Sequence, residues 1–139
     1  MKRTIIQEKK DPSKNGRIAQ IMDEYAKKQP GDVDAQVYKY RLYDDNENLI
    51  GGIDFVIHAE WLYIDEFAVV ENLRKQGYGK QILKEVEDFG KSKGCTQSSL
   101  MSFNYSAPEF YKKCGYELKY TLEFKDSRSN YNLLEKHLA

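Results

Sequence analysis

Apolar positions recur along this chain with two different periods, and each change of period marks an element. Ile18, Ile21, Met22 and Tyr25 follow helical spacing. Ahead of them Asp11-Pro12 reads as an N-cap followed by proline in the first turn, and Pro30-Gly31 ends the run. Gly16 blurs where this helix begins. From Ala35 the pattern turns to valine and aromatics, and residues 37–43 predict a strand. The polar cluster at 44–48 predicts a turn and 49–57 the returning strand of a hairpin, in which Gly51-Gly52 marks a bulge or a close backbone approach. Residues 61–70 are almost continuously apolar, as expected of a central strand covered on both faces.

The next run returns to the helical period. Tyr78, Ile82, Leu83, Val86 and Phe89 form one face, with Lys80, Lys84, Glu87, Asp88 and Lys91 largely on the other. Glu87 and Lys91 are spaced as a favourable i,i+4 pair, and Gly94 stands where a C′ glycine belongs. Residues 96–103 predict a strand, so 61–103 forms a strand–helix–strand unit with a parallel pair and a right-handed crossover. Ser106 and Glu109 have capping-box spacing and open a short helix over 107–114, closed by Gly115. Residues 116–124 and 131–136 predict a final strand pair across the polar loop 125–130. The sum is an α/β domain with a mixed sheet.

Composition narrows the function classes. The 139 residues predict one domain, 1–139, and its 22 basic side chains balance 22 acidic ones. That balance gives no support for a partner among nucleic acids or membrane surfaces. No apolar run reaches the roughly 18–20 residues of a membrane span, and the N-terminus lacks the apolar segment of a secretory signal. Cys95 and Cys114 lack metal-ligand spacing and His58 and His137 are isolated, so neither a metal site nor a Ser/His nucleophile finds its parts. A cytoplasmic protein with free thiols is the expectation.

One stretch, "ENLRKQGYGKQIL", carries chemistry. As a Walker A loop it fails, because Gly79-Lys80 is followed by Gln81 and the spacing to Gly77 is wrong. A Rossmann fingerprint would need a third glycine. The pattern R-x-x-G-x-G is met by Arg74, Gly77 and Gly79. Backbone amides at a helix start, aided by the helix dipole, can curl around a pyrophosphate there, with Lys75 and Lys80 adding charge.

Together with "NYSAPEFYKKCGYE" downstream, "FAVVENLRKQGYGKQIL" resembles two segments of the GNAT superfamily of acyl-CoA-dependent N-acetyltransferases, in the family's order. The likeness is close over residues 49–120 and includes a small bacterial, histone-acetyltransferase-like group. It implies a single-domain GNAT fold: a mostly antiparallel mixed sheet of six to seven strands with a parallel, splayed central pair, flanked by about three helices. It also implies direct acetyl transfer from acetyl-CoA to a primary amine, small molecule or protein, by a homodimer.

By the same resemblance, the amides of Gln76, Gly77, Tyr78, Gly79 and Lys80, with Arg74 and Lys75, hold the pyrophosphate. Phe67, Ala68 and Val69 pair with the pantetheine arm, and a backbone N–H there polarises the thioester carbonyl. Tyr111 matches the acid that protonates the leaving thiolate. Asn104 hydrogen-bonds the cofactor, while Ala107 and Phe110 shape its groove. Glu66 or Asp65 serves as general base. Strand alternation lets only one of these two face the acceptor unless a bulge intervenes, and either would be costly if buried without a partner. Asp23, Glu24, Asp32, Asp34, Asp126 and Arg128 border the acceptor side without selecting a substrate. The alternative function is an acyl-CoA-binding sensor or scaffold without turnover.

Overall fold

The computed structural model describes residues 1–8, 12–30, 35–106 and 108–139. Its strands are β1 (Lys2–Glu8), β2 (Gln36–Tyr43), β3 (Leu49–His58), β4 (Trp61–Val69), β5 (Gln97–Phe103), β6 (Glu117–Leu122) and β7 (Tyr131–His137). The helices are α1 (Pro12–Lys27), α2 (Tyr78–Ser92) and α3 (Pro108–Lys113). All seven strands join one sheet in the order β1-β2-β3-β4-β5-β7-β6. Every neighbouring pair is antiparallel except β4 and β5, which run parallel as the crossover through α2 requires. The expected mixed sheet with a central parallel pair is therefore present.

β1 has no counterpart in the sequence reading, since KRTIIQE holds only two isoleucines between polar ends. It forms because β2 offers an edge: the ladder runs from Lys2 opposite Tyr43 to Glu8 opposite Val37. β-Branched Thr4, Ile5 and Ile6 suit that half-exposed position, and basic side chains at the start discourage further edge pairing. In α1, Gly16 leaves helical geometry with φ 73° and ψ 179°. Ile18, Ile21, Met22 and Tyr25 beyond it all remain exposed. The expected cap at Asp11 and stop at Gly31 lie outside the described residues.

The core fills the space between the sheet and α2. Tyr40, Leu42, Ile53, Phe55, Leu62 and Leu100 meet Ile82, Leu83 and Val86, all buried. Fully burying a side chain of this size contributes about 1.5–3 kcal/mol. Tyr38 stacks on Phe55 at 5.2 Å, and Phe89 meets both rings edge-on. Gly90 lets α2 settle on the sheet, because a Cβ there would come within 3.3 Å of Leu62. Gly51 and Gly52 mark a close backbone approach, as foreseen: Cβ atoms would fall 2.6 Å from the Ala68 carbonyl and 2.4 Å from that of Tyr40.

One expectation for α2 is corrected. Glu87 does not lie on the solvent face and does not pair with Lys91. It is buried, accepting from Lys136 Nζ at 2.9 Å and from the Tyr116 hydroxyl at 2.8 Å. Tyr116 in turn shares a 2.8 Å hydrogen bond with Ser98. A buried carboxylate without such partners would be strongly unfavourable. Lys91 turns to Asp88 instead, at 3.8 Å.

Candidate active site

The site begins where the parallel pair ends. β4 and β5 are hydrogen-bonded only from Trp61–Gln97 to Ile64–Leu100. Beyond that point β4 pairs only with β3, and β5 only with β7, so their facing edges have no strand partner among the described residues. The split coincides with a bulge: Phe55 lies opposite Ile64 and Asp54 opposite Glu66, leaving Asp65 as the extra residue. The cleft this opens is bordered by Phe67, Ala68 and Val69 on one side.

At the head of the cleft the chain passes through a single 3-10 turn, Glu71–Leu73, into the glycine loop. Arg74 donates from Nε to the Val69 carbonyl at 3.0 Å, which fastens the loop to the end of β4. Lys75 takes a left-handed φ of 64° and Gly77 one of 88°. Such alternation turns successive N–H groups inward to form an anion-binding concavity. The first helical bond closes from Gln81 N to Gly77 O at 3.1 Å, so the amides of Tyr78, Gly79 and Lys80 belong to the turn that has no intrahelical acceptor. Gly77 carries no side-chain cap that would occupy them. Lys75 and Lys80 make no ion pair among the described residues.

The two glycines serve different ends. Gly77 needs its positive φ, and a Cβ there would meet nothing within 4 Å. At Gly79 a Cβ would press on Phe110 at 3.3 Å and lie 3.7 Å from Phe67. Phe67 and Phe110 themselves meet edge-on at 5.8 Å. Gly79 therefore lets the glycine loop close against the aromatic wall between β4 and α3.

α3 brings Tyr111 to the same wall, edge-on to Phe67 at 6.2 Å and to Phe110 at 5.2 Å. Its hydroxyl has no hydrogen bond among the described residues. Burial, with a smaller contribution from Cys114, pushes the phenol up to about 12. It keeps its proton throughout the neutral range. Donation of a hydrogen bond to a sulfur anion is therefore easier for it than full proton release, because an ordinary thiol near ~8.5 is the stronger acid. The Cys114 thiol is itself pushed up, by burial and by nearby Glu87. A nucleophilic cysteine is not what this environment makes.

Three supports hold α3, and the sequence reading missed them. Lys136 donates to the Cys114 carbonyl at 2.8 Å while bound to Glu87. The Tyr116 amide returns to the Tyr111 carbonyl at 3.0 Å, and the Tyr116 ring meets that of Tyr111 edge-on at 6.1 Å. Lys136 lies 22 positions from Cys114, so no local pattern signals that contact. Glu109 reaches Lys112 at 3.1 Å. Ala107, the groove residue expected next to it, lies outside the described residues.

Asn104 stands at the end of β5 with both ends of its amide engaged. Nδ2 donates to the Ser127 carbonyl at 2.7 Å, and Oδ1 accepts from Asn132 at 2.7 Å. It ties the cleft floor to the loop before β7. Asp126 and Arg128 in that loop bind each other at 2.7 Å, and Glu24 faces Arg17 at 3.8 Å. Asp32 and Asp34 lie outside the described residues.

Asp65 and Glu66 are both exposed, with no hydrogen bond or ion pair among the described residues. Ile64 before them is buried against the α2 side and Phe67 after them meets α3. The bulge thus sets two consecutive carboxylates between two residues that face the helices. On the far sheet face, Asp54 is engaged by Arg41 at 2.7 Å.

The family model described as "Acetyltransferase (GNAT) family" matches residues 7–116, and the chain belongs to this family. It is 27% identical over 84 residues to blasticidin-S acetyltransferase of Streptomyces morookaense, covering 60% of this chain and 62% of that one. The crystal structure of an acetyltransferase from Bacillus cereus ATCC 14579 superposes with a TM-score of 0.78 at 29% identity, over 94% of this chain and 96% of the other. A Bacillus subtilis acetyltransferase crystallised in complex with CoA shares the fold, with a TM-score of 0.65 at 19% identity over 99% and 100% of the two chains. The matched segments span 41% to 63% of the curated relatives' lengths.

Proposed function

We propose that the chain is one acetyltransferase domain that moves the acetyl group of acetyl-CoA directly to the nitrogen of a primary amine. The observation that carries the reading is the convergence of three parts on the split between β4 and β5. These are an anion-binding loop, an unpaired strand edge, and a phenol that stays protonated. Arg74, Lys75 and the amides from Gln76 to Lys80 hold the pyrophosphate, and Phe67-Ala68-Val69 receive the amide-rich arm. Phe110 walls the groove beside them, with Ala107 next in sequence. Asn104 keeps the floor in place and acts through Asn132 and Ser127.

Acetyl-CoA supplies a thioester activated for attack. Of the two protons an alkylammonium nitrogen loses on becoming an amide, one ends on the coenzyme sulfur and one in solvent. Glu66 or Asp65 takes the first proton from the ammonium, and Tyr111 supports the departing sulfur. A backbone N–H of the free β4 edge stabilises charge on the carbonyl oxygen. The cytoplasm as location and a homodimer as assembly complete the proposal. The free thiols Cys95 and Cys114 and the exposed apolar positions Leu118, Tyr120 and Leu122 on β6 support them. No helix among the described residues is long and apolar enough to cross a membrane.

A thiol-release assay across a panel of amines, with acetyl-CoA binding measured in parallel, tests the reading. Acetylation of at least one amine is expected. Tight acetyl-CoA binding with no transfer to any amine would replace it with a sensor or scaffold role.

A further inference from the structure

The sheet face turned away from α2 carries a feature that neither the phosphate loop nor Tyr111 explains. Along β5, Ser98, Leu100 and Ser102 are buried on the helix side, so alternation sends Phe103 to the opposite face. Its register partner on β7 is Tyr131. The two rings stack at 4.3 Å and 15°, and Tyr105 stacks on Phe103 at 5.1 Å and 7°. The result is a column of three parallel rings at the open end of the cleft, with Tyr105 72% exposed.

Tyr63 belongs to the same face, since Leu62 and Ile64 on either side of it are buried against the helices. Burial raises its phenol, and the proximity of Tyr131 and Asp65 raises it further. Tyr63 and Asp65 lie two residues apart on β4, and Tyr131 opens β7 on the same sheet face, stacked on Phe103. Glu66 sits opposite Asp54, whose charge Arg41 already balances. The uncompensated charge at the cleft mouth is therefore negative, and it lies beside half-buried aromatic rings. A tyrosine or phenylalanine face attracts cations through its quadrupole, and a carboxylate beside it adds directly to that attraction.

Building on the acetyltransferase reading, we infer that the enzyme selects acceptors by charge: alkylammonium ions, held between Asp65 and Glu66 and the rings of Tyr63 and Tyr131, with the Phe103–Tyr105 stack as the outer wall. Amines that are neutral in solution, such as anilines, are excluded as a class. The ammonium enters from this face while the coenzyme lies along the helix face, and the two meet in the split between β4 and β5.

Binding of hexylammonium and of hexan-1-ol to the CoA-saturated protein tests this without turnover, because CoA carries no acetyl group. The wild type is expected to prefer hexylammonium by about tenfold or more. Tyr63→Phe and Tyr131→Phe keep that preference, since the ring remains. Tyr63→Leu and Tyr131→Leu reduce it severalfold, with CoA affinity unchanged in every variant. Tyr105→Ala is exposed enough to spare the fold and gives a smaller reduction in the same direction. Equal binding of the two probes, or a preference that survives both leucine substitutions, would overturn the inference. The acetyltransferase reading fails on a different result, loss of acetyl transfer to every amine in the panel. Either idea can therefore fall while the other stands.

Discussion

The two sides of the β4–β5 split are built by different rules. On the helix side the parts are local in sequence and packed: Arg74, Gly77 and Gly79 fall within six residues, and Gly79 locks them against Phe67 and Phe110. On the opposite side the parts are Asp65, Glu66, Tyr63 and Tyr131. Tyr63, Asp65 and Glu66 come from β4 and Tyr131 from distant β7, and all four remain half or fully exposed. A polyphosphate presents the same geometry to every protein that binds it, so backbone amides and glycines suffice. An acceptor presents variable chemistry, and exposed side chains on a stable sheet can vary without disturbing the core. On the proposed reading, donor recognition is written in the backbone and acceptor recognition in side chains.

Four substitutions sharpen that contrast, in order of expected effect. Gly79→Val forces a side chain into Phe110 and over the free amides, and should weaken acetyl-CoA binding by on the order of 100-fold by calorimetry, with secondary structure intact. Retained binding would mean that the glycine loop is not the pyrophosphate site. Tyr111→Phe should lower kcat about 100-fold and leave acetyl-CoA affinity nearly unchanged. The wild-type phenol, raised to about 12, stays protonated as pH climbs through 10. It should therefore contribute no loss of activity there, and a basic limb near 10 that disappears in Tyr111→Phe would contradict this assignment. Glu66→Gln and Asp65→Asn, made singly, should each leave acetyl-CoA binding untouched. One of them should lower kcat/KM about tenfold and remove the acidic limb of the pH profile. If both keep the wild-type profile, neither side chain is the base.

How much of this was legible in the sequence follows the same division. The strand–helix–strand unit and the loop could be read because period and glycine spacing are local properties. β1 escaped because Ile5 and Ile6 acquire their meaning only when β2 lies alongside. Glu87 was misplaced because its partners, Tyr116 and Lys136, come from distant segments, so helical periodicity alone assigned it to solvent. Asp65 and Glu66 were found as candidates, yet alternation gave them opposite faces. No residue type announces a bulge, and the extra position became visible only in the pairing with β3.

That extra position also governs what lies downstream of it. Asp65 acts as a phase shift in a two-beat pattern: upstream the even-numbered Leu62 and Ile64 face the helices, and downstream the odd-numbered Phe67 does. Deleting this one residue would restore strict alternation with every pairing to β3 kept: Glu66 alone would turn away from the helices, and Phe67 would still face them. A single inserted residue thus marks where β4 stops being paired on both edges and becomes one bank of the cleft.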